Sequence, residues 1–430
     1  MRIAVIGSGI AGLASAWLLA RCHEVVLFEA NAYLGGHTHT HDVEQHGRRY
    51  AIDTGFIVYN PRHYPLLTRM FGELGVASQP TSMSFSVQHE ASGREYNATS
   101  LDTLFCQRRN LCSPRFLGMV RDIMRFYREA PALLEAGGDD PTLGEYLQAH
   151  GYGEAFRDEH LVPMASALWS SPPQQILAFP ARYLVRFMAN HQMLQVAGRP
   201  QWRVVRGGSA SYVQALRERW HVSERPACPV FSIDRDGAGV NVRSPAGNER
   251  FHHVVLACHS DQALALLADV SARERAILGA MPYQANEVVL HTDRRLLPRH
   301  RKAWAAWNAF VPREPEAPCT VSYCMDLLQG IDPPEPFVVT LNRSAAIDPD
   351  RVLRRLQYHH PVYTREAVAA QQRKAEIQGR NRTWFAGAYW GWGFHEDGLR
   401  SAVEVAACFG IDWLRETTRP PLRLITGDAA

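Results

Sequence analysis

The 430-residue chain carries 46 Lys and Arg against 43 Asp and Glu, a formal net charge of +3, too small to argue for nucleic acid or an acidic partner. A hydrophobic fraction of 46% and a charged fraction of 21% are those of a soluble protein long enough for two or more domains. No apolar run of about 18 residues suggests a transmembrane helix.

The eight cysteines are scattered with no C-x-x-C and read as mostly reduced, buried thiols in a cytoplasmic protein. Ten Trp and seventeen Phe favour apolar pockets over charge recognition. The chain begins with a short apolar run, Ile3 to Ile6, suited to a buried parallel strand. Gly7-Ser8-Gly9-Ile10-Ala11-Gly12 follows, then a helix from Leu13 to Ala20, then a second apolar run from Val25 to Phe28 that ends in Glu29. Its apolar core is interrupted by glycines and lacks a basic leader, so it does not read as a signal peptide.

Strand, glycine turn, helix, strand and acid within about 30 residues form a dinucleotide fingerprint. Gly7 allows the tight turn, Gly9 lets a pyrophosphate approach the backbone, and Gly12 lets the helix pack close to the sheet. The helix N-terminus offers N–H groups and partial positive charge to phosphate. Glu29 can accept hydrogen bonds from ribose hydroxyls.

A second glycine pair, Gly35-Gly36, comes soon after, followed by a strand running into Asp53-Thr54-Gly55. Together, the glycine turn, Glu29, Gly35-Gly36 and Asp53-x-Gly55 resemble the N-terminal quarter of the flavin-containing amine oxidase superfamily. That group includes monoamine oxidases, phytoene desaturases and protoporphyrinogen oxidases. The resemblance implies an α/β fold: a Rossmann-like FAD-binding domain of the glutathione-reductase type, in its amine-oxidase branch, with a discontinuous α+β substrate domain. It implies non-covalent FAD along Gly7, Gly9, Ile10, Ala11 and Gly12, at Glu29 and Ala30, along Gly35, Gly36, His37 and Thr38, and at Thr54 and Gly55. The family usually has Arg or a similar residue after the Gly-Gly; here it is His37. His37, His39 and His41 alternate with threonines, so in a strand they share a face. That pattern suits a polar strand beside the flavin or three imidazoles on zinc; no partner motif for a metal is visible.

Pro61 to Gly75 reads as a helix and Met83 to Val87 as a strand. A helix is expected from Pro114 to Leu134, with Phe116, Val120, Ile123, Met124 and Tyr127 as its apolar residues and Arg121, Arg125 and Arg128 on another side. Such a basic amphipathic helix suits either a solvated face or peripheral membrane contact. Gly137 to Pro141 is a loop, and Thr142 with Glu145 forms a capping box. The stretch from His160 to Gln195, rich in Leu, Met, Phe and Trp, reads as short helices; in the resembled family this region belongs to the substrate domain. Arg203 to Ser209 brings a strand into Gly207-Gly208, and Ser211 to Trp220 follows as a helix. Asp236-Gly237 marks a hairpin between Pro229–Ile233 and Val240–Arg243, and His253 to Cys258 is a buried strand. The resemblance places Val230 beside the adenine and Ala257 near the cofactor. Between Asp261 and Arg373, strands are expected at Val288–Leu290 and Phe337–Leu341, a short helix at Pro349–Gln357, and loops at Pro312–Pro318 and Pro333–Pro336.

Thr383 to Gly387 reads as a strand ending in glycine, Ala388 to Asp397 as an aromatic loop, and Gly398-Leu399-Arg400 as the start of a helix. The resembled family ends the same way, and there the helix N-terminus stabilises negative charge on the reduced flavin. By that likeness Gly387, Gly398, Leu399 and Arg400 border the cofactor. The absence of cysteine from this loop argues against a cysteinyl flavin link.

The resemblance divides the chain into an FAD-binding domain (1–70, 200–268 and 380–416), a substrate domain (71–199 and 269–379) and a tail (417–430). No second glycine fingerprint leads from strand to helix, so no nicotinamide domain is expected. The resemblance points to an FAD-dependent oxidase, dehydrogenase or desaturase. It would take hydride from a C–N or C–C bond of a hydrophobic, lipid-like substrate, and oxygen, a quinone or another acceptor would reoxidise it. The relatives closest to this pattern look like bacterial flavoproteins associated with lipid-modifying enzymes. The alternatives are a redox-neutral flavoenzyme similar to UDP-galactopyranose mutase and a flavin-binding partner protein without turnover. His395, Tyr389 and Trp390 are the candidate catalytic residues. Tyr389, Trp390 and Trp392 form a candidate aromatic cage or simply core. A cytoplasmic location, with contact at the membrane surface as an option, completes the reading.

Overall fold

The computed structural model describes residues 1–138, 140–169, 171–314 and 320–415. Asp139, Cys319, the later part of the Pro312–Pro318 loop and the 417–430 tail lie outside them. The first domain is built on a parallel sheet of five strands: β1 (Arg2–Ile6), β2 (Glu24–Phe28), β3 (Val222–Arg225), β4 (His253–Leu256) and β5 (Thr383–Phe385), in the order β3-β2-β1-β4-β5. The central strands carry unbroken apolar runs because both faces are covered. Ile3, Ala4 and Val5 are fully buried, as is Leu27. Every residue of helix α1 (Ile10–Leu19) is buried, because helix α2 (His395–Cys408) packs along its other side. The last α-helix of the described residues therefore meets the first.

The second domain carries a seven-stranded sheet. Its order is Val352–Pro361, Tyr283–His291, Val338–Leu341, Thr320–Cys324, Trp307–Val311, Phe85–His89 and Arg94–Asn97. One pair is parallel, Trp307–Val311 with Phe85–His89; the rest are antiparallel. The helices between residues 101 and 190 form a separate apolar core against one end of this sheet, around Phe116, Phe126, Phe156, Leu184 and Phe187. Between the domains lies a three-stranded strip in which Trp202–Val205 pairs with Val58–Tyr59 and Ser78–Thr81.

Several expectations are met locally. Thr142 Oγ1 accepts from the Glu145 N–H at 3.2 Å and Glu145 returns the bond at 2.7 Å, and the hairpin turns at Asp236 to Gly239. Pro114 opens its helix, capped by Ser113, which accepts from the Phe116 N–H.

Others are corrected. Pro349–Gln357 is not a helix. Pro349–Arg351 is a single tight turn, and Val352–Pro361 is an edge strand paired with Tyr283–His291 along its length. That ladder supplies hydrogen bonds from far along the chain, which local pattern cannot show. The α-helix from Pro114 stops at Glu129 and tightens into a 3₁₀ turn at Ala130–Leu134, where Pro131 removes a backbone donor. Helix α2 begins at His395, three residues before the expected Gly398. The domain boundary at residue 70 falls inside the helix Pro65–Leu74, whose Leu67, Met70, Phe71 and Leu74 all pack into the first domain. Likewise Ala367, Ala370 and Ile377 pack against the first domain's sheet, not the second domain. The seven described cysteines are unpaired thiols, but Cys22, Cys112 and Cys408 are exposed, not buried. Among the described residues no helix is long and apolar enough to cross a membrane.

Candidate cofactor and active site

The glycine turn sits where three strands end. Gly7 has φ +96°, its N–H donates to the Phe28 carbonyl at 2.8 Å, and a Cβ there would lie 3.0 Å from the Ala257 oxygen. A Cβ on Gly12 would lie 1.8 Å from the Gly7 oxygen, so only glycine lets α1 approach the turn. Gly9 differs: it caps α1, and a Cβ there would meet nothing within 4 Å. That open space lies at a helix N-terminus, where an anion is favoured. Ile10 and Ala11 are buried in the first turn of α1.

Glu29 ends β2 with its carboxylate fully organised. One oxygen accepts from the Ser8 N–H at 2.9 Å and the Ser8 hydroxyl at 2.6 Å, the other from the backbone and side-chain nitrogens of Asn31 at 2.8 and 2.9 Å. Ser8 and Asn31 escaped the sequence reading. Ser8 occupies a free position of the fingerprint, and only the fold shows that its hydroxyl reaches the acid. Just beyond, Ala30 is exposed. The segment carrying Val230 runs alongside: Cys228 N–H donates to the Glu29 carbonyl and Ala227 N–H to that of Asn31, both at 2.8 Å. This is the side expected for an adenosine.

Gly35 and Gly36 fold back over the turn. Gly35 N–H donates to the Ser8 hydroxyl at 3.1 Å, and a Cβ on Gly36 would lie 3.0 Å from the Gly9 Cα. Behind them, Thr54 N–H donates to the His39 carbonyl and Phe56 N–H to that of His37. Gly55 is needed there because any Cβ would strike the His37 carbonyl. Asp53 acts on the fold, not as a ligand. Its carboxylate accepts from the Ser209 N–H and hydroxyl and the Thr40 hydroxyl. Burial raises its pKa to about 6, and those donors oppose the rise. The carboxylate thereby ties Gly207-Gly208-Ser209 to the cofactor strand.

The C-terminal loop closes the far end. A Cβ on Gly398 would lie 2.7 Å from Ile10 Cγ2, so this glycine seats α2 on α1. Leu399 is fully buried in the same core. The Gly387 N–H donates to the Ser401 hydroxyl at 2.8 Å. The Glu396 carboxylate accepts from the Leu66 and Leu67 N–H groups, capping the helix Pro65–Leu74. The Arg400 guanidinium lies on a cleft with Lys374, Trp390 and Glu404, paired to Asp397 at 3.0 Å, and its backbone is in the second turn of α2, not at the helix start.

His395 is the first residue of α2. Its Nε2 lies 3.0 Å from Thr38 Oγ1 and 3.4 Å from the Tyr212 hydroxyl, and its ring stacks on Phe56 with centroids 3.7 Å apart. Burial, and secondarily the nearby His37, lowers its pKa to about 3. The imidazole is therefore neutral and held by hydrogen bonds.

The four loop aromatics divide. Tyr389 packs in the first domain's core, and Trp390 leans on it while donating to the Phe385 carbonyl. Trp392 and Phe394 face the helical core of the second domain, where both meet Phe187. Tyr389, Trp390 and Trp392 thus do not surround one space, as a cage would.

The three histidines also part company. His39 stacks on Tyr33 and meets His41 at 4.0 Å. His37 faces His259 and His360 at 6.3 and 5.4 Å between ring centroids, and it shares with His39 the Tyr358 ring, 4.8 Å from His37 and with its hydroxyl 3.2 Å from His39 Nδ1. Burial lowers His37 and His259 to about 4 and His360 to about 3. Among the described residues no group of three or more His, Cys, Asp or Glu is arranged to hold a metal ion.

These residues fit an elongated cofactor with a diphosphate. Space is open at Gly9, a carboxylate stands at the strand end, and two buried polar atoms lack a partner at the seam between the domains: His37 Nε2 and Gln284 Oε1. Gln284 is the register partner of His360, which faces His37.

Comparison with known proteins agrees with this geometry. Residues 10–334 match the family model described as flavin containing amine oxidoreductase. A putative flavin-containing monoamine oxidase of Mycobacterium tuberculosis is 28% identical over 268 residues, covering 59% of this chain and 56% of that protein. The chain thus spans only a little over half the length of that curated relative. Among solved structures, cyclohexylamine oxidase from Brevibacterium oxydans IH-35A superposes with a TM-score of 0.69 at 18% identity, over 96% of this chain and 99% of that one. A CLA-producing fatty acid isomerase from P. acnes gives 0.64 at 16% identity, over 95% and 98%. Both likenesses speak for the fold. The chain belongs to the flavin containing amine oxidoreductase family.

Proposed function

From that membership, we propose that the protein binds FAD non-covalently along Gly7 to Gly12, Glu29, Gly35 to Thr38 and the N-terminus of α2, and uses it to take a hydride from a C–H bond of a hydrophobic, lipid-like substrate, whose C–N or C–C bond becomes a double bond as a proton is lost from the neighbouring N–H or C–H. Oxygen, a quinone or another acceptor then takes the electrons. The observation that carries this reading is the meeting of two glycine-built helix starts from opposite ends of the chain, at Gly9 and His395, on the same face of one parallel sheet. Bound flavin supplies a hydride acceptor.

The chain's own residues hold, orient and exclude water. Ser8 and Asn31 fix the Glu29 carboxylate for ribose hydroxyls, and the N-terminus of α1 faces phosphate. The neutral His395 keeps Thr38 and Tyr212 in place at the start of α2. Trp392, Phe394, Phe187 and Met188 pack together where the helical core meets the C-terminal loop, and this apolar junction supports an apolar substrate. Each methylene buried there contributes roughly 0.8 kcal/mol. The resemblance of the P. acnes enzyme, by its name a fatty acid isomerase, supports a lipid substrate in this fold without choosing the reaction.

Anaerobic mixing of the purified protein with amines, unsaturated fatty acids and phospholipids tests the reading. Bleaching of the flavin absorbance by one class identifies the reductant. Turnover only after chemical reduction, without bleaching, would replace oxidation by a redox-neutral reaction.

A further inference from the structure

We propose that the outer face of the helix Pro114–Glu129 is a docking surface for an anionic lipid bilayer. The helix is about 24 Å long at 1.5 Å per residue. It buries Phe116, Met119, Asp122 and Phe126 and turns Leu117, Arg121, Met124 and Arg128 to solvent. Their spacing of four, three and four residues places them on one stripe.

The stripe is unusual in two respects. Leu117 and Met124 are 44% and 50% exposed, and Leu101 and Leu111, shortly before them in the chain, are 75% and 49% exposed. Four of the nine large apolar side chains exposed among the described residues thus fall between positions 101 and 124, while the others are dispersed. The arginines that alternate with them are 77% exposed for Arg121 and 75% for Arg128, each paired along one edge to a carboxylate of the same helix, Arg121 to Asp122 at 3.3 Å and Arg128 to Glu129 at 3.0 Å. No carboxylate stands on the stripe itself. Asp122 is buried and accepts from the Gly153 N–H at 2.9 Å. Glu129 lies at the stripe's edge, shared between Arg125 at 2.9 Å and Arg128 at 3.0 Å.

Arg125 is not part of the surface. It is tied to Glu129 and the His150 carbonyl and lies over the Tyr152 ring. The expectation that Arg121, Arg125 and Arg128 form one basic side is corrected accordingly: the exposed line alternates apolar and basic residues. Beside it runs an open cleft of about 240 Å³ between the helix and Gly153 to Phe156, lined by Arg115 and Arg121 on one side and Glu154 on the other.

Apolar side chains interleaved with arginines are what an interfacial helix presents. The former enter the acyl boundary while the latter meet anionic headgroups. A protein partner of ordinary composition would leave the arginines to be desolvated, at a cost only paired acids offset. An anionic bilayer supplies both surfaces at once. The proposal does not depend on the substrate: docking can stand if the enzyme oxidises a small amine, and can fail if it oxidises a lipid.

Flotation of the holoprotein with phosphatidylglycerol–phosphatidylcholine vesicles tests it, against pure phosphatidylcholine vesicles. Binding should require phosphatidylglycerol and weaken with added salt. Arg121→Gln with Arg128→Gln should lower the partition coefficient by about twenty-fivefold, at about fivefold per arginine. Leu117→Asp with Met124→Asp should abolish binding, while Leu327→Asp, on another surface, should not. Retained flavin content and thermal midpoint show that each variant is folded. The proposal is overturned if the wild type stays in solution, if it binds neutral vesicles equally, or if the arginine pair can be replaced without effect. A concentration-dependent dimer lost in Leu117→Asp/Met124→Asp, without vesicle binding, would assign the stripe to a second copy of the chain instead.

Discussion

Two glycines three residues apart should fail in different ways when given a methyl group. In Gly12→Ala the new Cβ lies 1.8 Å from the Gly7 oxygen and 2.9 Å from its carbonyl carbon, far inside any tolerated contact. Both are backbone atoms of the strand-to-helix turn, so no rotamer change relieves the clash. Helix α1 must move off the sheet, in a core where every residue of that helix is buried. Overpacking of this kind costs about 1–3 kcal/mol and more when backbone must shift, a large share of a typical total of about 5–15 kcal/mol.

In Gly9→Ala nothing of the protein lies within 4 Å of the added carbon, and the residue's φ of −63° suits any L-amino acid. Replacing a glycine N-cap by alanine costs about 0.5–1 kcal/mol, and the smaller unfolded-state entropy returns about 0.4–1 kcal/mol. The apoprotein should therefore be as stable as wild type, while the methyl occupies the approach of the diphosphate. The expected outcome is a normal thermal midpoint without flavin for Gly9→Ala, and a lowered midpoint even of the apoprotein for Gly12→Ala. Thermal denaturation of flavin-stripped samples, with flavin-to-protein ratios from absorbance, measures both. If Gly9→Ala kept a full complement of flavin with wild-type affinity, the diphosphate would not pass where the turn is open, and the assignment of the cradle would fail.

Acid should destabilise the protein between pH 6.5 and 4. His291 is buried, takes the Asp293 N–H on Nδ1 at 3.0 Å and meets Thr340 through Nε2 at 2.8 Å, and burial lowers its pKa from 6.5 to about 4. The unfolded chain then binds the extra proton throughout that window, so stability is full above it and is lost as pH falls, by roughly 3 kcal/mol for this group. His291→Gln should make the profile shallower by that one group's share, since the buried His37, His259, His360 and His395 keep the rest of the slope; an equally steep profile would refute the attribution. NADH and NADPH should reduce the flavin slowly or not at all, because no second fingerprint is present; rapid saturable bleaching in a stopped-flow mixer would overturn this. His395→Ala, with flavin retained, should slow flavin reduction about tenfold or more by releasing Thr38 and Tyr212, and His395→Gln should restore part of the rate. An unchanged rate and substrate affinity would leave the histidine a structural role alone. Acid precipitation should leave a colourless pellet, since no cysteine lies between Ala388 and Asp397; retained colour would indicate a covalent link.

The cofactor half of the molecule was legible in the chain because its signals are local and unforgiving. A glycine whose Cβ would meet backbone, an apolar run covered on both faces and an acid at a strand end leave traces within 30 residues. The second domain was not legible to the same degree. Val352–Pro361 is a strand because it finds Tyr283–His291, some 70 residues away, and its own residues carry no matching period. The site's supporting contacts were hidden for the same reason. Asp53 holds Ser209, Glu396 caps the helix at Pro65, and His395 reaches Thr38, each across more than 150 residues of chain. Residue type can announce that a carboxylate or imidazole is present. Whether it faces a ligand, a helix terminus or another side chain depends on burial and on partners brought by folding, and that decision belongs to the tertiary structure.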